Sequence, residues 1–150
     1  NNFDFSNQKT NIIVNNQYLE NQITSLLNVN NSNVMIHDNQ YILPDFKLIE
    51  LFLKFDKTNE MKYKIDKSDC DNFSFILFAN FLKEQYKSIE NFNQTILFGV
   101  AYGKDNKKNY NHMFNIFLDS MNQFYCIEPQ SDLIDHCNNF NQYQIYKILF

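Results

Sequence analysis

The chain has 150 residues, 44% hydrophobic and 20% charged, with a formal net charge of −4. That length predicts one domain around one core, and the lysines, which supply every cationic side chain, are scattered rather than gathered into the basic stripe of a nucleic-acid binder. No apolar run approaches the roughly 18 residues of a membrane span, and the Asn-rich start lacks the basic and apolar stretches of a signal peptide, so the segment is expected to be soluble.

Residues 1–40 read as an N-terminal arm or extra elements. A short strand is predicted at Ile12 to Val14, and apolar residues at Tyr18, Ile23, Leu26 and Leu27 recur at helical spacing. NVNNSN, residues 28–33, reads as a loop before the main body, residues 41–150. Pro44 precedes FKLIELFLKF, whose spacing predicts a helix over 45–55. A second helix with one buried face is predicted from Cys70, or just before it, through DNFSFILFANFLKEQY. The C-terminal half turns to short β-rich runs: 95–103, 112–119, 123–130 and 144–150, with turns at 103–111 and 119–123. Helices followed by antiparallel strands make the fold class α+β. With 16 Phe and no Trp, phenylalanine is expected to fill much of the core.

Three cysteines, Cys70, Cys126 and Cys137, leave at least one thiol free, and none forms a CxxC pair. Cys126 lies in an apolar strand and reads as core; Cys137 lies in a polar loop and has no evident role. Cys70 stands between Asp69 and Asp71 in DKSDCDNF, where negative charge opposes thiolate formation. Its predicted place at a helix N-terminus works the other way, because the positive end of the peptide dipoles lowers a thiol pKa. Asp69 is the expected helix cap.

His112 opens one predicted strand and Glu128 closes the next, so adjacent antiparallel strands can set imidazole beside carboxylate. Cys, His and acid then suit thiol chemistry, with His112 as general base toward Cys70 and Glu128 holding the ring tautomer. His37 and His136 lack such a carboxylate and read as solvent-facing.

YKIDKSDCDNF around Cys70, NHMFNIFLD around His112 and IEPQ at Glu128 together resemble the papain-like C-terminal domain of the mushroom agglutinin family typified by Marasmius oreades agglutinin. The separations, 42 residues from Cys70 to His112 and 16 from His112 to Glu128, look like those of that family. The resemblance implies a papain-like cysteine protease fold and a calcium- or manganese-activated endopeptidase acting on protein or peptide through Cys70, His112 and Glu128. It also implies a metal site at Asp69, Asp71 and Gln130, whose oxygens suit a hard cation. Such a cation would reverse the field of the aspartates and favour the thiolate. The family's sugar-binding β-trefoil is absent, so lectin activity does not carry over. Asn72 and Asn111 depart from the family pattern, where an acidic residue and a glycine are common. Two alternatives stand beside the protease: a binding or inhibitory module that keeps the fold without catalysis, and a transglutaminase-like acyltransferase using the same three residues.

Overall fold

The computed structural model describes residues 2–88, 92–140 and 142–150. Among these residues, two sheets and three α-helices form in an α+β arrangement. Strands β1 (Ile13–Asn15), β3 (Gln40–Ile42) and β4 (Thr95–Ile96) make a small sheet in the order β1-β3-β4. The larger sheet runs β2-β9-β5-β6-β7-β8, built from β2 (Val34–Met35), β5 (Gly99–Asp105), β6 (Tyr110–Leu118), β7 (Phe124–Glu128), β8 (Leu133–His136) and β9 (Gln144–Leu149). Its β5-β6-β7-β8 run is antiparallel, while β2 joins β9 in parallel at the edge.

Helix α1 (Asn16–Gln22) continues into one π-helical turn, Ile23–Leu27, which ends at Asn28 in the left-handed region with φ 55°. Helix α2 (Phe46–Phe55) and helix α3 (Cys70–Lys87) start where the apolar spacing puts them. The turn expected over 103–111 is shorter, because β5 and β6 extend to a tight connection with Asn109 at φ 52°. The strand β8 has no clear alternation and was not expected; its register with β7 supplies the hydrogen bonds that its sequence does not advertise.

The large sheet is buried on both faces at its centre, along β6. Along β6, Phe114, Ile116 and Leu118 enter a core with α1, Tyr41 and Phe140, while Phe117 enters a second core with α2 and α3. This explains why β6 reads as an almost unbroken apolar run rather than a clean alternation. Phenylalanine fills the second core, where Phe81 stacks on Phe98 with centroids 4.5 Å apart and meets Phe52 edge-on at 5.0 Å.

Residues before 41 contribute to both cores: Phe3 and Phe5 to the helical side, and Val14, Leu19 and Ile23 to the other. Asp45 ties this segment down. Its carboxylate accepts from Lys9 N–H (2.5 Å), Thr10 N–H (3.0 Å), Thr10 Oγ1 (2.6 Å) and Ser120 Oγ (2.7 Å). Burial opposes its charge, but these hydrogen bonds outweigh burial and hold Asp45 below the usual carboxylate range.

Cys126 and Cys137 form a disulfide, which joins β7 to the 3-10 turn Cys137–Asn139 after β8. Cys126 is core as expected, but the residue without an evident role is its partner. Only the pairing of β7 with β8 brings the two Cα atoms to 4.9 Å. Cys70 is the free thiol.

Candidate functional site

Cys70 is the first residue of α3 and is half-buried. Asp69 is the N-cap in extended conformation, and Asn72 closes the turn by accepting the Asp69 N–H at 3.2 Å. Asn72 therefore does at the third helical position what Glu or Gln does in a capping box. Upstream, Asp66 takes φ 59° in the tight turn between Lys64 and Ser68, which delivers the chain to the helix start. On the sheet side, Asn115 Nδ2 donates to Ser74 O (3.0 Å) and Gly99 O (3.2 Å), fixing the first turns of α3 against β5 and β6.

His112 and Glu128 approach because of register. Strands β6 and β7 pair Asn115 with Ile127, so Glu128 falls level with Phe114, two residues from His112 on the same face. Such diagonal neighbours are within reach of long side chains. The His112 Nε2 to Glu128 Oε2 distance is 2.5 Å. That bond leaves Nδ1 for a second partner, and the ring is the largest influence on the neighbouring Cys70 thiol, whose pKa it lowers. Because β7 stops level with Phe114, β6 runs on without it, and the Met113 backbone N–H adds to the lowering of the Cys70 pKa.

The electrostatics follow from these contacts. The hydrogen bond to His112 lowers the Cys70 pKa, burial opposes it, and the Met113 N–H assists, with Asp69 as a weaker opposing charge. Burial alone would lower the His112 pKa, but the bonds to Cys70 and Glu128 outweigh it and push the ring up to about 9. A lowered thiol pKa beside a raised imidazole pKa favours the thiolate–imidazolium pair.

The three residues expected to carry chemistry thus come together. Of the three expected to hold a metal, Asp69 and Asp71 flank Cys70 at the start of α3 and Gln130 follows the end of β7. The neighbouring Asp69 carboxyl, then burial, raise the Asp71 pKa, and Asp71 accepts from the Asn72 N–H at 2.8 Å. Gln130 donates its own N–H to Glu128 Oε1 at 3.4 Å, and among the described residues no hydrogen bond links it to either aspartate. Among those residues, no group of three or more His, Cys, Asp and Glu is placed to hold an ion.

The other histidines lie elsewhere. His37 Nδ1 is 2.7 Å from Phe150 O, and His136 stacks on Tyr125 with centroids 4.5 Å apart. Three participants were not foreseen: the Met113 N–H, and the aromatic neighbours Tyr143 and Tyr110. The first is a backbone group and leaves no mark on a sequence; the tyrosines lie in or beside predicted strands and turns with nothing to single them out. A cavity of about 550 Å³ lined by Asp38, Gln85, Tyr86 and Thr95 lies at the far end of α3. It is separated from Cys70 by roughly 24 Å of helix at 1.5 Å per residue.

The model of the agglutinin C-terminal family matches residues 41–134. A search of curated proteins finds no match. Among solved structures, the Polyporus squamosus lectin bound to the human-type influenza-binding epitope Neu5Aca2-6Galb1-4GlcNAc superposes with a TM-score of 0.75 at 17% identity, over 92% of this chain and 49% of that one. A complex of PSL1a with E64 superposes with a TM-score of 0.77 at 18% identity, over 92% and 51%. The chain thus spans about half the length of these relatives.

These findings correct the functional expectation. The matched family is an agglutinin's and the solved relative is a lectin holding a glycan, which overturns the metal-activated cysteine endopeptidase, and with it the hydrolase, thiol protease and acyltransferase readings. These findings give no support to calcium or other metal binding, and among the described residues no group of three or more His, Cys, Asp and Glu is placed to hold an ion. The fold remains α+β, with lectin neighbours where a papain-like protease fold was expected. No helix among the described residues is long and apolar enough to cross a membrane. The match over 41–134 covers more than half of the chain, so the chain belongs to the agglutinin C-terminal family.

Proposed function

We propose that this chain is a binding module of an agglutinin-type protein, directed at glycan-bearing partners, and that Cys70 is its point of covalent capture. The observation that carries the covalent part is the Cys70, His112 and Glu128 constellation, with the Nε2 to Oε2 bond at 2.5 Å. The glycan-bearing partner rests on the family match and on the ligand of the Polyporus lectin. A cysteine at a helix start facing a strand histidine is a papain-like layout of groups, and it supports nucleophilicity at this sulfur without implying turnover.

Capture needs only these residues. The thiolate of Cys70 attacks an electrophilic carbon of the partner, a C–S bond forms, and the displaced electron pair goes to the partner's heteroatom. The imidazolium Nδ1 of His112 supplies the proton that neutralises it, while Glu128 keeps the ring oriented and charged until then. The Met113 N–H steadies the sulfur.

Two measurements test the reading. Iodoacetamide labelling of the intact protein followed across pH 5–9 by mass spectrometry should show Cys70 reacting at pH 6, where an ordinary thiol with pKa near 8.5 is almost entirely protonated, at roughly 0.3% thiolate. His112→Ala should remove that low-pH reactivity. Labelling of Cys70 that follows an ordinary thiol titration would overturn the covalent part. Retention on immobilised Neu5Aca2-6Galb1-4GlcNAc and on a panel of other glycans tests the partner class, and absence of retention on every glycan would overturn that part.

A further inference from the structure

The ring of Tyr143 lies against His112 with centroids 5.0 Å apart and planes tilted by 32°, and it also contacts Phe114 at 5.8 Å. Its hydroxyl is 2.8 Å from that of Tyr110, which meets it edge-on across the end of the sheet. The space for this ring is made by Gly103, the residue paired with His112 on β5. A Cβ on Gly103 would come within 2.8 Å of Tyr143 Cβ and 2.9 Å of the Phe114 ring. The β5–β9 register also shifts between Tyr102 and Gly103, so that Gly103 pairs with Ile145, two residues from Tyr143. Strands β5 and β6 therefore both close on one ring.

We propose that Tyr143 is the positioning residue of the thiol site, covering one face of the His112 imidazole and stabilising its cationic form in the gap that Gly103 leaves. This rests on the thiolate–imidazolium reading of Cys70 and His112. An aromatic face within about 6 Å attracts a cation, more strongly when water is excluded, and the ring here both supplies that face and displaces water from it. Cys70 and Glu128 face His112 at its two nitrogens, and Tyr110 stands behind Tyr143. Burial, then the bond to Tyr110, push the Tyr143 hydroxyl above its ordinary pKa, so the ring stays neutral over the working range and adds no charge of its own.

The test is an NMR titration of the His112 ring in the intact protein, run with Cys70 labelling at pH 6 for the wild type, Tyr143→Phe and Tyr143→Leu, with Tyr143→Met replacing the last if it does not fold. Tyr143→Phe should keep the raised His112 pKa within about 0.3 unit, because the face is retained; the aliphatic variant should lower it by roughly 0.5–1 unit and slow labelling about 3- to 10-fold. A His112 pKa equally high in Tyr143→Leu or Tyr143→Met overturns the positioning role while leaving the thiol reading intact. A wild-type His112 that titrates near 6.5 defeats the thiol reading itself, and the inference with it.

Discussion

Replacing Glu128 with Gln removes the charge opposite His112 while keeping the side chain's size. The carboxylate lies 2.5 Å from Nε2, and the bond joins two groups that are largely screened from solvent. A hydrogen bond to a charged partner contributes about 1.5–3 kcal/mol. At 1.36 kcal/mol per pKa unit, that is roughly 1–2 units of the rise that puts His112 at about 9. Glu128→Gln is therefore expected to leave His112 titrating at roughly 7–8, still raised by Cys70. Because folding raises the His112 pKa, its stabilising contribution is complete below about 6.5 and is lost as pH rises through about 9. In the variant the upper limit of that window should move down with the ring. The Cys70 pKa should rise as the imidazolium weakens, and labelling at pH 6 should slow about tenfold for each unit. The ring pKa is read from the His112 imidazole protons, the thiol from iodoacetamide rates, and the fold from the circular dichroism spectrum. An unchanged His112 pKa in a folded Glu128→Gln protein would refute the reasoning.

Replacing both Cys126 and Cys137 by Ser should cost about 3 kcal/mol of stability in denaturant melts, from the loss of a short closed loop, while Cys70 labelling persists. Asp45→Ala should cost about 1–3 kcal/mol by freeing the donors at Lys9, Thr10 and Ser120, and proteolysis should then reach residues 8–10 first. Folding lowers the Asp45 pKa, so its contribution is present above about pH 4 and fades as pH falls through its folded value; acid melts of wild type and variant should converge there. Phe81→Ala opens a hole between Phe52 and Phe98 and should lower stability by about 3–5 kcal/mol, with little change in the His112 titration.

The helices α2 and α3 were legible because each carries its own signals: apolar spacing, Pro44 before one, and Asp69 with Asn72 at the start of the other. The four long strands were legible as β-rich runs. Strands β2, β3 and β8 were not, because two to four residues hold too little periodicity to show and exist only through their partners. The same limit hid the disulfide, since eleven residues of separation say nothing of a Cα distance until β7 and β8 pair.

The sequence by itself determined that a thiol would open a helix and that an imidazole and a carboxylate would stand near the ends of neighbouring strands. These are local facts, set by spacing and capping within a few residues. A protease and a metal site came from resemblance, and the family and solved relatives overturn the protease. Only the tertiary structure decided that Glu128 falls within reach of His112, and that Gly103 leaves room for Tyr143 against the same ring. Each of these depends on which residues of distant segments fall opposite one another, and register between strands is a property of the folded sheet, not of any segment alone.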